Sequence, residues 1–199
     1  MSRSLWIVVC ILGLLFLVGN LALVGVMTGL KPEAGPLTLH TPEHPEGESP
    51  YLSTPPAVVD AMLRVADVKP GEIVYDLGCG DARILVAAAR DFGALGVGIE
   101  LDDEVFELAV ENVRRNQLED RVKLVHGNMF EADIRQADVV ALYLLPQALE
   151  RLRPILERQL KPGARVVSHD FRMPGWQSVH VEKIPRGNGT SHTVHLYRR

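Results

Sequence analysis

The stretch Val74-Tyr75-Asp76-Leu77-Gly78-Cys79-Gly80-Asp81-Ala82-Arg83-Ile84 constrains the fold more than any other part of the chain. An apolar strand, Ile73–Leu77, runs into a tight turn with glycine at two alternate positions, and a helix over residues 82–92 follows at once. Glycine removes Cβ and lets backbone N–H groups approach a ligand. About 20 residues further on, as a dinucleotide-type fingerprint requires, a second apolar strand ends in the carboxylate of Glu100. A βαβ unit places an acceptor for ribose hydroxyls there. The pattern predicts a site for a nucleoside-containing ligand.

Detail narrows the ligand. A nicotinamide or flavin fingerprint, G-x-G-x-x-G, would need glycine where this chain has Arg83. The chain instead reads Asp76-x-Gly78-x-Gly80-x-Ala82. An acid at the strand end repels a pyrophosphate and suits a ligand carrying an ammonium group. S-adenosyl-L-methionine has an ammonium, a sulfonium and no phosphate. The segment resembles the first motif of class I S-adenosylmethionine-dependent methyltransferases. Ala82 stands where a third glycine is often seen, a departure that adds a methyl group.

Periodicity supports an α/β architecture. Val58, Val59, Met62, Leu63 and Ala66 recur at helical spacing after Pro56, and Lys69-Pro70-Gly71 ends that segment. Strands are predicted at Ile73–Leu77, Leu95–Glu100, Val122–His126, 139–144 and 165–170, alternating with helices at 82–92, 102–116 and 146–160. Residues 179–184 and 193–197 alternate apolar and polar around Pro185-Arg186-Gly187-Asn188-Gly189, which reads as a hairpin. The prediction is a doubly wound, mostly parallel sheet with a C-terminal antiparallel hairpin. Class I methyltransferases have this architecture, and the resemblance covers about residues 51–199.

The N-terminus carries a second signal. Residues 5–30 contain no charge, and about 20 apolar residues suffice for a helix to span a bilayer. No small-x-small cleavage site follows, so an uncleaved transmembrane helix over residues 1–30 is favoured over a signal peptide. Arg3 and Lys31 flank the run on opposite sides and leave the positive-inside rule without a bias. The cofactor is made in the cytosol, so a working enzyme is expected to face that side. Residues 31–50, with five prolines, read as a Pro-rich linker, and residues 51–199 as the methyltransferase domain.

Net charge is −4 with no basic run, so no nucleic-acid partner is expected. The two cysteines, Cys10 and Cys79, offer neither a disulfide framework nor a metal spacing, and no metal is expected. His180, His192 and His195 fall on the last two strands; a cluster is one reading, and exposed strand histidines the favoured one.

Resemblance assigns the site. It implies that Asp76 meets the cofactor's ammonium, that Gly78 and Gly80 pass under its methionine part, and that Glu100 takes the ribose hydroxyls. After the third strand, Gly127-Asn128-Met129-Phe130 stands where the family reads adenine, which implicates Asn128 and Met129. A helix N-cap is the other reading of Asn128. Tyr51-Leu52-Ser53-Thr54-Pro55-Pro56 resembles the segment preceding the core in membrane-anchored protein-lysine N-methyltransferases, where it touches the cofactor. That implicates Tyr51 and Thr54. Leu142-Tyr143-Leu144 and Ser168-His169-Asp170-Phe171, ending strands four and five, match the same anchored family, whose mitochondrial members modify lysines of inner-membrane proteins.

The expected function is therefore N-methylation of a lysine in a protein substrate, with membrane proteins among the candidates. Tyr143 is the candidate catalytic residue, orienting the amine or lining its channel, or else a strand-end tyrosine with its hydroxyl in water; Asp170 is a lesser candidate. Strand four lacks the Asn/Asp-Pro-Pro-Tyr/Phe motif used on nucleobases and glutamine. A lipid, quinone or other small-molecule acceptor is the alternative, and a non-catalytic nucleoside-binding membrane scaffold a further one.

Overall fold

The computed structural model describes residues 52–199; the predicted anchor, the linker and Tyr51 lie outside them. The elements in chain order are α1 (Pro56–Val65), β1 (Ile73–Leu77), α2 (Arg83–Phe92), β2 (Leu95–Glu100), α3 (Asp103–Arg115), β3 (Val122–His126), a 3-10 turn (Met129–Glu131), β4 (Val139–Leu142), α4 (Pro146–Gln159), β5 (Arg165–His169), β6 (His180–Pro185) and β7 (Ser191–Arg198). They build one seven-stranded sheet in the order β3-β2-β1-β4-β5-β7-β6. β1 to β5 are parallel, and β7 runs antiparallel between β5 and β6. Among the described residues no helix is long and apolar enough to cross a membrane.

Helices cover both faces of the sheet, which is why its central strands are apolar without alternation. Every residue of β4 is fully buried. On one face Val74, Val139, Ala141, Val167 and Val194 pack with Met62 and Leu63 of α1 and with Leu85 and Ala88 of α2. On the other, Leu77, Val140, Leu142 and Val166 pack with Leu149, Leu152 and Leu156 of α4. The period of two along each strand thus feeds two separate cores.

Local signals set the element ends. Asp102 caps α3 by accepting from the Val105 N–H at 3.0 Å, and Pro146 opens α4 in its first turn. α1 is fastened to the sheet by Arg165 of β5, 8% exposed, which donates to the Ala66 and Asp67 carbonyls at 2.8 and 3.0 Å. The same guanidinium pairs with Glu72 at 2.5 Å. β4 is two residues shorter than the predicted 139–144: its pairing with β1 stops at Asp76–Ala141, because β1 turns off at Gly78, freeing Tyr143 and Leu144 from the ladder.

Candidate active site

Strand order reverses between β1 and β4, the switch point outside which ligands bind in open α/β sheets. Asp76 sits there on β1, in register with Gly98 on one side and Ala141 on the other. It is 3% exposed, and no side chain among the described residues pairs with it. Burial, and then the charges of Glu100 and Asp81, push its carboxyl well above the usual carboxylate range. A buried carboxyl in that position is stabilised as an anion only when a cation arrives.

The glycine turn is shaped by β2. The N–H groups of Gly78 and Cys79 both donate to the Ile99 carbonyl at 2.9 Å, and the Gly80 N–H donates to Glu100 Oε2 at 2.9 Å. Gly78 and Gly80 have φ of +76° and +56°, where glycine carries no steric cost. This corrects the expectation that the turn's amides face a ligand: all three are engaged by the end of β2. These three amides are therefore not available to a pyrophosphate, and a phosphate-free nucleoside does not need them. A Cβ on Gly78 would meet Leu144 Cδ2 at 3.2 Å and Met129 Sδ at 3.8 Å, so Met129 and the loop after β4 line the same crevice.

Ala82 is not the neutral replacement the sequence suggested. Its φ is +60°, a left-handed conformation that costs an L-residue roughly 1–2 kcal/mol. That strain sits at the start of α2, directly beside the turn. Asp81, missed in the sequence, grips Arg83 through Nε and Nη2 at 2.8 and 2.6 Å. Arg83 in turn donates to the Thr54 carbonyl at 3.1 Å.

Glu100 does more than end a strand. Besides holding Gly80, its Oε1 accepts from the Leu101 and Asp102 N–H groups at 2.9 and 3.1 Å. A carboxylate offers about four lone-pair sites, so three are occupied by backbone. Asn128 is an N-cap: its Oδ1 accepts from the Phe130 N–H at 3.0 Å, and its Nδ2 donates to Glu131 at 3.2 Å.

The other side of the crevice holds an arrangement that sequence reasoning missed. Tyr143 lies with its ring centroid 3.9 Å from that of His169 and 6.5 Å from Phe171. Burial and the nearby Asp170 carboxylate raise its phenol pKa. His169, 0% exposed, contacts Thr54 Oγ1 through Nδ1 at 3.5 Å and His192 Nδ1 through Nε2 at 2.8 Å. Thr54, 4% exposed, therefore fastens the segment before α1 both to α2 and to the end of β5. The expectation of exposed strand histidines holds for His180 but not for the other two. His192 is half-buried beside His169, and His195 is buried. Strand alternation puts His192 and His195 on opposite faces of the sheet, and the β5–β7 register, which pairs His169 with Val194 and Ser168 with His195, brings His192 to the same face as His169.

Asp76, Gly78, Gly80, Glu100 and Met129 thus share the crevice beyond β1 and β2, while Thr54 and Tyr143 meet at His169. Tyr51 lies outside the described residues. The donor set fits S-adenosylmethionine: an unpaired buried acid for a cation, an open turn, and an acid at the end of β2.

Known proteins agree. The family described as ANTKMT methyltransferase domain matches residues 76–180. A protein-lysine N-methyltransferase of Saccharolobus islandicus (strain REY15A) is 48% identical over 149 residues, covering 74% of this chain and 92% of that protein. The adenine nucleotide translocase lysine N-methyltransferase of Mus musculus is 33% identical over 66% of this chain, which spans 57% of the mouse protein. Among solved structures, an RNA methyltransferase from Salinibacter ruber in complex with S-adenosyl-L-homocysteine superposes with a TM-score of 0.68 at 45% identity, over 74% of this chain and 93% of that one. The chain belongs to the ANTKMT methyltransferase domain family and is an S-adenosylmethionine-dependent methyltransferase.

Proposed function

We propose that this enzyme N-methylates a lysine side chain of a protein. The observation that carries the reading is the 48% identity to a protein-lysine N-methyltransferase along 92% of that relative's length. Bound S-adenosylmethionine supplies an electrophilic methyl group on sulfonium. Asp76 holds the ammonium, the Gly78–Gly80 turn leaves room for the methionine part, and Glu100 receives the ribose hydroxyls on its remaining acceptor capacity. Met129 flanks the adenine, Asn128 shapes the loop that presents it, and Thr54 fastens the segment before α1 beside the crevice; the resemblance also assigns Tyr51 to the cofactor. Tyr143 lines the acceptor channel. An ammonium with a reference pKa near ~10.4 must lose a proton before it can attack, and desolvation against the rings of Tyr143 and Phe171 favours the neutral amine.

A second reading is RNA methylation, favoured by the 45% identity to the RNA methyltransferase from Salinibacter ruber. Against it stands the net charge of −4, where a phosphate backbone calls for a basic surface. The uncharged run over residues 5–30 supports a membrane anchor, and the cytosolic origin of the cofactor supports a domain on that side.

One experiment separates these readings. Purified protein and tritiated cofactor are incubated with membranes and soluble extract from cells lacking the enzyme, and the label is fractionated. Label in protein that hydrolyses to methyl-lysine is the expected result; label destroyed by ribonuclease, or extracted with lipid, overturns it.

A further inference from the structure

The group on β5 and β7 is built more elaborately than packing requires. His169 ends β5 and is wholly buried; His192 comes from β7; Asp170 follows β5 in a left-handed conformation, φ +59°. That conformation is strained for a non-glycine residue, and it turns the Asp170 carboxylate back onto both imidazoles. Its Oδ2 lies 3.4 Å from His169 Nε2 and 3.4 Å from His192 Nδ1. Its Oδ1 accepts from the Thr193 N–H at 2.8 Å, and Arg186, from the β6–β7 turn, donates to Oδ2 at 2.5 Å. The charged and titratable neighbours are therefore Asp170, Arg186 and Tyr143, and the segment before α1 contributes the hydroxyl of Thr54.

Resting on the lysine reading, the geometry points to a proton relay, Thr54–His169–His192, that carries the proton of the acceptor ammonium from the channel beside Tyr143 to solvent. One pair of tautomers runs the relay outward, and it leaves the 3.4 Å His192 Nδ1–Asp170 Oδ2 contact without a proton until His192 is charged. Thr54 donates its hydroxyl proton to His169 Nδ1, and His169 donates Nε2–H to His192 Nδ1. A proton arriving from the acceptor at the Thr54–His169 Nδ1 end displaces the one on Nε2 into His192 Nδ1. His192 is then an imidazolium beside the Asp170 carboxylate and releases its Nε2 proton to water, since its side chain is 14% exposed. One proton enters and one leaves. The amine left behind has its lone pair free: its N–C bond forms as the sulfonium C–S bond breaks, the electron pair going to sulfur. Burial, ahead of any neighbouring charge, pulls the His169 pKa down to about 4, so this imidazole passes the proton without retaining it. The same three side chains bring metal-ligand atoms within 4.8 Å of one another, but Arg186 already occupies the position from which Asp170 would meet a cation.

The test uses the full chain in mild detergent, with poly-L-lysine as the probe acceptor and single-turnover transfer from tritiated cofactor. His192→Ala is expected to be at least ~10-fold slower than wild type near neutral pH and within ~2-fold near pH ~10, where the amine is already neutral. Added imidazole restores at least ~5-fold of the neutral-pH rate. Cofactor affinity within ~3-fold of wild type shows that the variant is folded, and Asp170→Asn is expected to reproduce the neutral-pH loss. A second readout needs no acceptor: nitrogen-15 imidazole spectra of the full chain are expected to show His169 protonated on Nε2 and His192 unprotonated on Nδ1. An equal loss at every pH without rescue, the opposite tautomers, or activation by added zinc would overturn the relay alone. RNA labelled where poly-L-lysine is not would overturn the lysine reading and the relay with it.

Discussion

The Gly80 N–H donates to Glu100 Oε2 at 2.9 Å, so the acid that ends β2 also holds the glycine turn that follows β1. One carboxylate fixes the turn and caps the start of the loop to α3, and it is the acceptor proposed for the ribose hydroxyls. Glu100→Ala is expected to weaken cofactor binding by at least about 10-fold, the scale of one hydrogen bond to a charged group. Glu100→Gln keeps the acceptor oxygen but loses charge, and is expected to fall between the two. Calorimetric titration with S-adenosylmethionine checks this. Wild-type affinity in Glu100→Ala, accompanied by a lower melting temperature, would reduce Glu100 to a holder of the turn.

Asp76 gives the cofactor site a pH dependence of defined sign. In the free enzyme burial and two nearby carboxylates raise its pKa; the ammonium proposed to sit beside it would lower it again. Binding therefore selects the ionised form and releases a proton, and affinity rises with pH until the free-state pKa is passed. Titrations in buffers of different ionisation enthalpy will show net proton release below the free-state pKa of Asp76, absent in Asp76→Asn. No buffer dependence in the wild type would mean that Asp76 is ionised before the ligand arrives.

The strand and helix sequence of the fold was legible because local signals agreed: continuous apolar runs for the buried strands, Pro146 and Asp102 at helix starts, and glycine-rich turns between them. Asp76, Glu100 and the glycine turn were equally legible, since a βα unit fixes their relative positions over about 20 residues. His169 and His192 were not. Their contact depends on β7 entering the sheet beside β5 and pairing Ser168 with His195, a register that no local pattern reveals. The αL conformations of Ala82 and Asp170 were hidden for a related reason. Neither residue type announces positive φ, and only the surrounding packing imposes it.

His169 also makes stability sensitive to acid. Its pKa is lowered to about 4, chiefly by burial, against an unfolded value near ~6.5. The unfolded chain then binds the extra proton first as pH falls, so the contribution is complete above ~6.5 and is lost between there and ~4. Between pH ~7 and pH ~5 this amounts to about 2 kcal/mol. Urea unfolding at the two pH values is expected to show that difference in the wild type and a clearly smaller one in His169→Gln. An identical acid loss in both proteins would place the sensitivity elsewhere.

The two glycines of β2 test how closely α2 is pressed onto the sheet behind the cofactor turn. A Cβ on Gly98 would lie 2.7 Å from Leu85 Cδ1, 2.8 Å from Cys79 Sγ and 2.9 Å from Leu124 Cδ2. On Gly96 the nearest atoms are at 3.2 Å (Leu85 Cβ) and 3.3 Å (Val122 Cγ2). Overpacking of the first kind costs about 2 kcal/mol or more, whereas the second needs shifts of only a few tenths of an ångström. Gly98→Ala is therefore expected to be markedly less stable than Gly96→Ala in chemical denaturation. It is also expected to bind S-adenosylmethionine more weakly, because one of the three atoms that must yield belongs to Cys79, between the two turn glycines. Equal stability in the two variants would show that α2 and the turn can move away from the sheet without penalty. Lower stability with unchanged affinity would show that the turn keeps its shape while Leu85 and Leu124 absorb the strain.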